Sequence, residues 1–585
     1  MPKNKRPLIF SFAIFVISIL VFLPSIKNDF VWDDEEVIEK THFLYKASSI
    51  KDIIIPSTAE HKKALYYRPV HYISIVFDNY LWGVRSFGFH LTNILLHALN
   101  SLLVFFLFRL VLREYKVSDS EFTPLIGAVL FVLQPIHTES VSWVAGRTDM
   151  LSALFFLLAF IFHIKLKKNR LLLPLAGISY FLSLLSKELA IAFPLVVLSF
   201  DYLSKNLRRS NILIYFCYLA LTILYLYLRG RAYINVPEIE IIAENTDKAG
   251  SLFIYLEPAR ILLNSYFFYI YKLLFPVDLN AFIAAVPKDS FYTLSSLITL
   301  VFICSLTFYF GLKKHSLLLF SFLFVLFTLG PSVTVALSGI AATPLAERYL
   351  YLPSVGFIIM ITYLINKLRY RLSSNVVVII FTLIALSYLV LCINRQAVWK
   401  DSLSLWTDTS SKSYLSPIVH TNYGSALADE GQYEKAIKEF RIALSPELGD
   451  SNRGKALSSI NLGNVYISLE KYSLAEKWFI RANKFDPSYG RTYYHLGLIN
   501  FIKAETTSSK KYYKTAEKHL LKTFEYYHSY GIAHLLLSKV YIGQGKIYDA
   551  KKQARLALSI GLSADLSQQA EDIIKIDNKR GGKNP

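Results

Sequence analysis

The sequence predicts an all-α protein in two parts, a membrane bundle of many helical spans followed by a soluble array of helical hairpins. Three observations carry this reading. Apolar runs of about 18 residues or more, enough to cross ~30 Å of hydrocarbon, recur through residues 1–395 and not through 396–585. The short loops between those runs are basic. From about residue 417 onward, small and aromatic residues return at fixed offsets.

Hydrophobic residues make up 54% of the 585 and the mean hydropathy is +0.38; a soluble chain of this length would divide into several domains and would not carry repeated membrane-length apolar runs. The formal charge of +20 raises the question of nucleic acid. Its location argues against that partner. Lys165, Lys167, Lys168 and Arg170 share one short loop, Lys205, Arg208 and Arg209 another, and Lys367, Arg369 and Arg371 a third. Basic loops between apolar runs mark the cytoplasmic face of a membrane protein. Cys217, Cys304 and Cys392 all lie inside apolar runs and read as small hydrophobes, with no disulfide framework or metal-type spacing.

Residues 7–26 follow Lys3, Lys5 and Arg6 and lack a small-residue cleavage site, so they read as a retained first helix with its N-terminus inside. Further spans are expected near 91–112, 122–136, 150–166, 171–186, 189–203, 211–228, 291–311, 316–336, 353–366 and 375–394, about eleven in all. Threaded in order, they place the basic loops at 109–118, 165–170, 204–210, 313–315 and 367–371 on the cytoplasmic side. Segment 251–275 is apolar but carries Glu257, Arg260 and Lys272; a full crossing there would invert everything after it. It therefore reads as re-entrant or interfacial, and residues 396–585 fall outside, with the membrane domain ending at 395.

The C-terminal part repeats. Gly424, Tyr433, Ala436, Phe440, Ala443 and Pro446 recur as Gly463, Tyr472, Ala475, Phe479, Ala482 and Pro487. A third unit has Leu496, Gly497, Tyr513, Ala516 and Leu520, and a fourth Tyr541, Gly545, Ala550, Ala554 and Ala557. This is the tetratricopeptide pattern, a roughly 34-residue helical hairpin that buries its face only against a neighbour. Such arrays bind peptides or partner proteins.

The outer loops hold the chemistry. Asp33 and Asp34 stand beside Trp32 just beyond the first span, with Tyr66, Tyr67, Arg68 and Pro69 later in the same loop. The second loop gathers His137, Glu139, Arg147 and Asp149; the third has Lys187 and Glu188; a late one has Glu347, Arg348, Tyr349 and Tyr351. Ionisable residues at membrane depth are costly and by default suggest function; the bland alternative is that they pair and anchor loops. The carboxylates could supply a general base or hold a divalent cation. Arg68, Arg147, Lys187 or Arg348 could hold a phosphate. Acid and cation chemistry facing outward suits transfer from a lipid-phosphate donor.

The strings VWDDE, YYRPVHY, GFHLTNILLHALNSLLVF, LQPIHTESVSWVAGRTDMLSALFFLL, LLSKELAIAFPLVVLSFD and LAERYLYLPSVGF, followed by the repeats, cover nearly the whole chain in order. Together they resemble the transmembrane and tetratricopeptide repeat-containing proteins, O-mannosyltransferases of the multispanning GT-C class, and their bacterial relatives. The resemblance implies a GT-C-type membrane fold, a polyprenyl-phosphate-linked sugar donor and transfer on the non-cytoplasmic face. It implies that Asp33 or Asp34 is the base toward the acceptor hydroxyl, with Asp33 slightly favoured. His137 and Glu139 match the family's second-loop motif, and Glu347 with Arg348 its late motif; no metal is carried over. The array is short, about four units where animal members carry more. The compact length and the absence of Asn-x-Ser/Thr acceptors fit a bacterial inner membrane, with the repeats in the periplasm or outside. The expected acceptor is a Ser or Thr hydroxyl of a peptide or protein held by the repeats. Two other readings stand beside this one: a non-enzymatic membrane scaffold presenting repeats, and a polymerase or ligase of lipid-linked glycans.

Overall fold

The computed structural model describes residues 6–34, 37–38, 67–117, 122–233, 253–313, 315–338, 342–368, 372–449, 451–527 and 530–576. Lys3, Lys5, Tyr66, Arg369 and Arg371, and part of the basic loops named above, lie outside those residues. Two compact units divide at Leu405 and Trp406, a few residues beyond the boundary expected at 395.

The first unit is helical. Among the described residues, seven helices are long and apolar enough to cross a membrane: Arg6–Lys27, Ser86–Glu114, Arg147–Lys165, Ile212–Ala232, Ser290–Leu312, Ser316–Ser338 and Asn375–Val398. This fits an integral membrane protein. Four other expected spans are shorter helices, Phe122–Leu133, Arg170–Ser186, Phe193–Leu203 and Pro353–Lys367. Pro135, and the 3-10 turn at Glu188–Ala192, end or delay two of them. At about 1.5 Å per residue, an 11- or 12-residue helix falls short of the hydrocarbon thickness. These short helices pack instead against the long ones: Phe122–Leu133 on Ser86–Glu114 and Pro353–Leu368, and Phe193–Leu203 on Ser316–Ser338.

Aromatic rings fill the centre. Phe156 meets Phe193 edge-on at 5.0 Å, Phe160 meets Phe200 at 5.2 Å, and Phe200 meets Phe320 at 5.2 Å. Edge-to-face contacts of this kind add to the gain from burial. Helices Ser290–Leu312 and Ser374–Val398 keep broad apolar faces exposed, with Phe302, Val301, Leu383 and Val378 each at 60% or more. Lipid is the solvent that makes such faces cheap.

Within segment 251–275 the described residues form one continuous helix, Phe253–Leu274, and not a re-entrant hairpin. Glu257 near its start pairs with Lys288 at 2.5 Å; Lys272 near its end lies 3.7 Å from Glu347. Residues 275–289 and Glu347 also meet directly, through the Asn280 amide. Both ends of the helix are thus tied to polar groups of the loops that follow it.

The second unit is a series of helical hairpins: Pro417–Asp429 with Tyr433–Ala443, Asn452–Ser468 with Tyr472–Phe485, Gly490–Thr507 with Lys510–Tyr526, and Gly531–Gly543 with Ile547–Ile560. A final helix, Ala564–Lys575, packs on the last hairpin. The repeated glycines sit where the paired helices touch. A Cβ on Gly424 would lie 2.8 Å from the Phe440 ring, and one on Gly463 would run into Phe479. Gly545 has a different job. It turns the fourth hairpin with a φ of +77°, a backbone region that glycine enters without steric cost.

Candidate active site

The loop after the opening helix begins with a short 3-10 turn, Leu23–Lys27. The Asp34 amide donates to the Val31 carbonyl at 3.2 Å, closing a turn in which Trp32 has a φ of +57°. A tryptophan held in the left-handed region costs on the order of 1 kcal/mol, so its packing must hold it there. It does: the Trp32 ring stacks on Trp143 at 4.9 Å with 13° between planes, and Phe282 closes at 6.0 Å. Trp143 stacks in turn on the buried Trp399 at 5.9 Å.

This turn sends the two adjacent aspartates opposite ways. Asp34 is fully buried. Its Oδ1 accepts from the Ala145 amide at 2.8 Å, and its Oδ2 from the Val31 and Val144 amides at 3.4 Å each. Burial pushes its carboxyl up to about 8, against the pull of those backbone donors. Asp33 is exposed. Asp34 fastens the first loop to the second, and the Asp33 beside it is accessible.

Four ion pairs surround this turn's neighbours. Glu139 accepts from the Arg348 amide at 2.9 Å and from its guanidinium at 2.5 Å. That guanidinium lies 5.1 Å from the Trp143 ring, 5.2 Å from Tyr349 and 6.0 Å from Trp32, so cation–π attraction adds to the pair. Lys187 donates to both oxygens of Asp149 at 2.6 and 2.7 Å, and its ammonium lies 4.6 Å from the centre of the same Tyr349 ring. Burial lowers Lys187 to about 8, with Asp149 opposing and Arg68 and Arg348 reinforcing the shift. Arg68 makes a two-pronged contact with Glu188 at 2.6 and 3.1 Å. Burial would raise Glu188, but the Arg68 charge and hydrogen bonds hold it at about 2.

Arg147 forms the fourth pair, 2.6 Å from Asp78, with both side chains fully buried. It also donates to Asn93 Oδ1 at 2.7 Å, the Phe89 carbonyl at 2.9 Å and the Ser74 carbonyl at 3.3 Å. A guanidinium has five N–H groups, and these contacts engage every nitrogen. Of the four cations offered as phosphate holders, this one is committed to the scaffold.

Glu347 is buried and accepts from the Asn280 amide at 3.0 Å; burial raises its carboxyl to about 7, with Arg395 and Lys272 pulling the other way. His137 is brought elsewhere. Its Nε2 pairs with Ser354 Oγ at 2.9 Å, and its ring lies 4.4 Å from Phe131 and 4.5 Å from Tyr351. It is a core histidine between helices. Among the described residues no three His, Cys, Asp or Glu side chains gather as a metal site; the carboxylates face cations and backbone amides.

The geometry thus joins Trp32, Glu139 and Arg348 on one side, with Asp33 next to Trp32 in the chain, and Tyr349, Lys187, Asp149, Arg68 and Glu188 on the other. Sequence reasoning missed Asp78, Asn93, Trp143 and Asn280. Asp78 left a trace, a lone acid within the apolar stretch ISIVFDNYLW, which requires a cation nearby.

A tetratricopeptide repeat profile matches residues 458–489. Protein O-mannosyl-transferase F38B6.6 of Caenorhabditis elegans is 27% identical over 457 residues, covering 73% of this chain and 61% of its own length. Protein O-mannosyl-transferase TMTC4 of Mus musculus is 34% identical over 161 residues, 25% of this chain and 21% of its own. The chain therefore spans less than two thirds of these relatives. A crystal structure of TTC0263, a thermophilic TPR protein in Thermus thermophilus, covers 32% of this chain and 94% of its own at 14% identity and a TM-score of 0.26. The homologues of this chain are protein O-mannosyltransferases of the transmembrane and tetratricopeptide repeat-containing family.

Proposed function

We propose that this chain transfers mannose from a polyprenyl-phosphate donor to a Ser or Thr hydroxyl of a protein, on the non-cytoplasmic face of the membrane. The observation that carries the reading is the split of the aspartate pair. An exposed Asp33 follows a tryptophan held by Trp143 and Phe282, and the Arg348 guanidinium, paired with Glu139, lies 6.0 Å from that tryptophan's ring. The names of the relatives supply the sugar.

In the proposed reaction the acceptor hydroxyl meets the Asp33 carboxylate. That carboxylate takes the proton as the hydroxyl oxygen bonds to the anomeric carbon. The bond from that carbon to the phosphate oxygen breaks, and the lipid phosphate leaves with the electron pair. Arg68, Lys187 and Arg348 face the growing negative charge. One displacement inverts the anomeric centre, and the repeats hold the peptide that carries the hydroxyl. The setting that suits this is a GT-C-type fold in a bacterial inner membrane, with the N-terminus inside and the repeats in the periplasm.

The test is transfer of radiolabelled mannose from polyprenyl-phosphate mannose to Ser- and Thr-containing peptides by purified protein. Wild type is expected to form a product of one inverted sugar, and Asp33→Asn to form it about 10²- to 10⁴-fold more slowly. Transfer of a preassembled chain would favour a ligase, and retained configuration would overturn the single displacement. Failure with every peptide and lipid offered would favour the scaffold.

A further inference from the structure

Every candidate phosphate-holding cation already has a carboxylate on it. A donor phosphate must therefore displace one of them, and the four pairs differ in how readily they yield. Side-chain exposure is 0% and 0% for Arg147 and Asp78, 2% and 5% for Lys187 and Asp149, and 12% and 2% for Arg348 and Glu139. For Arg68 and Glu188 it is 15% and 20%. A carboxylate that loses its cation while buried loses its compensation for leaving water, which is strongly unfavourable. Glu188 has the most exposed carboxylate of the four. Of the four it turns toward solvent at the least cost.

The backbone allows that turn. Arg68 is the residue before helix Pro69–Trp82, and Glu188 is the first residue of the 3-10 helix Glu188–Ala192, after an extended Lys187. Both side chains leave the chain at helix starts, so rotation of either shifts no helix. The contact itself is two-pronged, the geometry in which a guanidinium also receives two phosphate oxygens. Lys187 adds charge beside it: its own proton affinity is lowered by Arg68.

Resting on the transferase reading, we infer that Glu188 is an exchangeable stand-in for the donor's phosphate, leaving Arg68 when the lipid-linked sugar binds and returning to expel the lipid phosphate product. Charge supports the exchange. A sugar phosphodiester carries one negative charge, as Glu188 does, so the swap leaves the net charge of the site unchanged. After transfer the phosphate is a monoester with about −1.5 to −2 at neutral pH. It grips Arg68 more tightly than the donor does, and the returning carboxylate competes with it.

The experiment measures binding of a labelled polyprenyl monophosphate to full-length protein in nanodiscs, with no sugar transfer required. Wild type, Glu188→Gln, Arg68→Gln and the double variant are compared. Glu188→Gln is expected to tighten binding about tenfold, the scale of one charged hydrogen bond. Arg68→Gln is expected to weaken it, and Glu188→Gln to have no effect in that background. In turnover, Glu188→Gln should lower KM and kcat together, because product release slows. If the Gln variant does not fold, Glu188→Asp, which keeps the charge and shortens the reach, should change both in the same direction. Unchanged or weaker binding in a folded Glu188 variant overturns the exchange while leaving the transferase reading intact. Tightened binding without any mannose transfer keeps the exchange and removes the transferase reading. Competition by inorganic phosphate equal to that of the lipid would assign the site to free phosphate and overturn the assignment to a lipid headgroup. No binding of either probe by wild type overturns the exchange outright.

Discussion

Trp32 lies flat on Trp143, ring centroids 4.9 Å apart and planes 13° apart, and this stack holds a backbone turn that tryptophan does not choose by itself. With the Ala145 amide on Asp34, it fixes the chain immediately on both sides of Asp33. Trp32→Ala frees that turn. Transfer is expected to fall by about 10- to 100-fold, mainly in kcat, since misplacing a catalytic group by ~1 Å costs about that much. Single-turnover kinetics on protein with unchanged thermal stability would check it; equal loss from Phe282→Ala, which removes only the flanking ring, would argue against the stack.

The aspartates are expected to separate cleanly. Asp33→Asn should remove about 10²- to 10⁴-fold of the rate, the usual contribution of a general base, with stability unchanged. Asp34→Asn should leave turnover per folded molecule largely intact. Asp34 is pushed up to about 8 from an ordinary 3.8 by burial. Between those values the folded chain binds a proton that the unfolded chain has lost. Stability should therefore fall as pH rises from about 4 to about 8. Thermal unfolding across that window should show a shallower decline in Asp34→Asn than in wild type.

Lys187 sets an alkaline limit in the proposed reaction. It carries its charge below about 8 and loses it above, because burial outweighs Asp149. KM for the lipid donor is expected to climb above that pH. Lys187→Arg should carry the limb to higher pH, because guanidinium keeps its proton. A wild-type profile flat from about pH 7 to about pH 10, on both sides of that loss of charge, would take Lys187 out of donor binding.

Arg147 and Asp78 should behave as a structural unit. Removing either partner strands the other charge without solvent, a loss of about 3–5 kcal/mol. Arg147→Gln and Asp78→Asn are each expected to lower the unfolding temperature sharply, and the double variant to recover part of the loss. Additive losses would show that the two do not act as a pair.

The repeats offer a separate check. Gly424→Val and Gly463→Val place methyl groups against Phe440 and Phe479, and overpacking of this kind costs about 1–3 kcal/mol. Limited proteolysis should open residues 417–487 in these variants while transfer to a small soluble acceptor alcohol persists.

Local patterns were enough to show that the chain is helical, that apolar spans precede a repeat array, and which loops carry ionisable groups. These are local signals: the length of an apolar run, and the return of Gly, Tyr and Ala at a fixed spacing. The sequence could not tell Asp33 from Asp34, because neighbours in a turn differ only by the backbone angle of Trp32. Nor could it pair the charges. Glu139 and Arg348 are 209 residues apart, and Arg68 and Glu188 are 120 apart, so no spacing rule links them. It gave Arg147 and Arg68 the same role, whereas the fold buries one among backbone carbonyls and leaves the other partly open. Tertiary structure decided those assignments. The worth of a charge near a membrane depends on which partner shares its low-dielectric surroundings and how much water reaches it, and both are set by which helices come together.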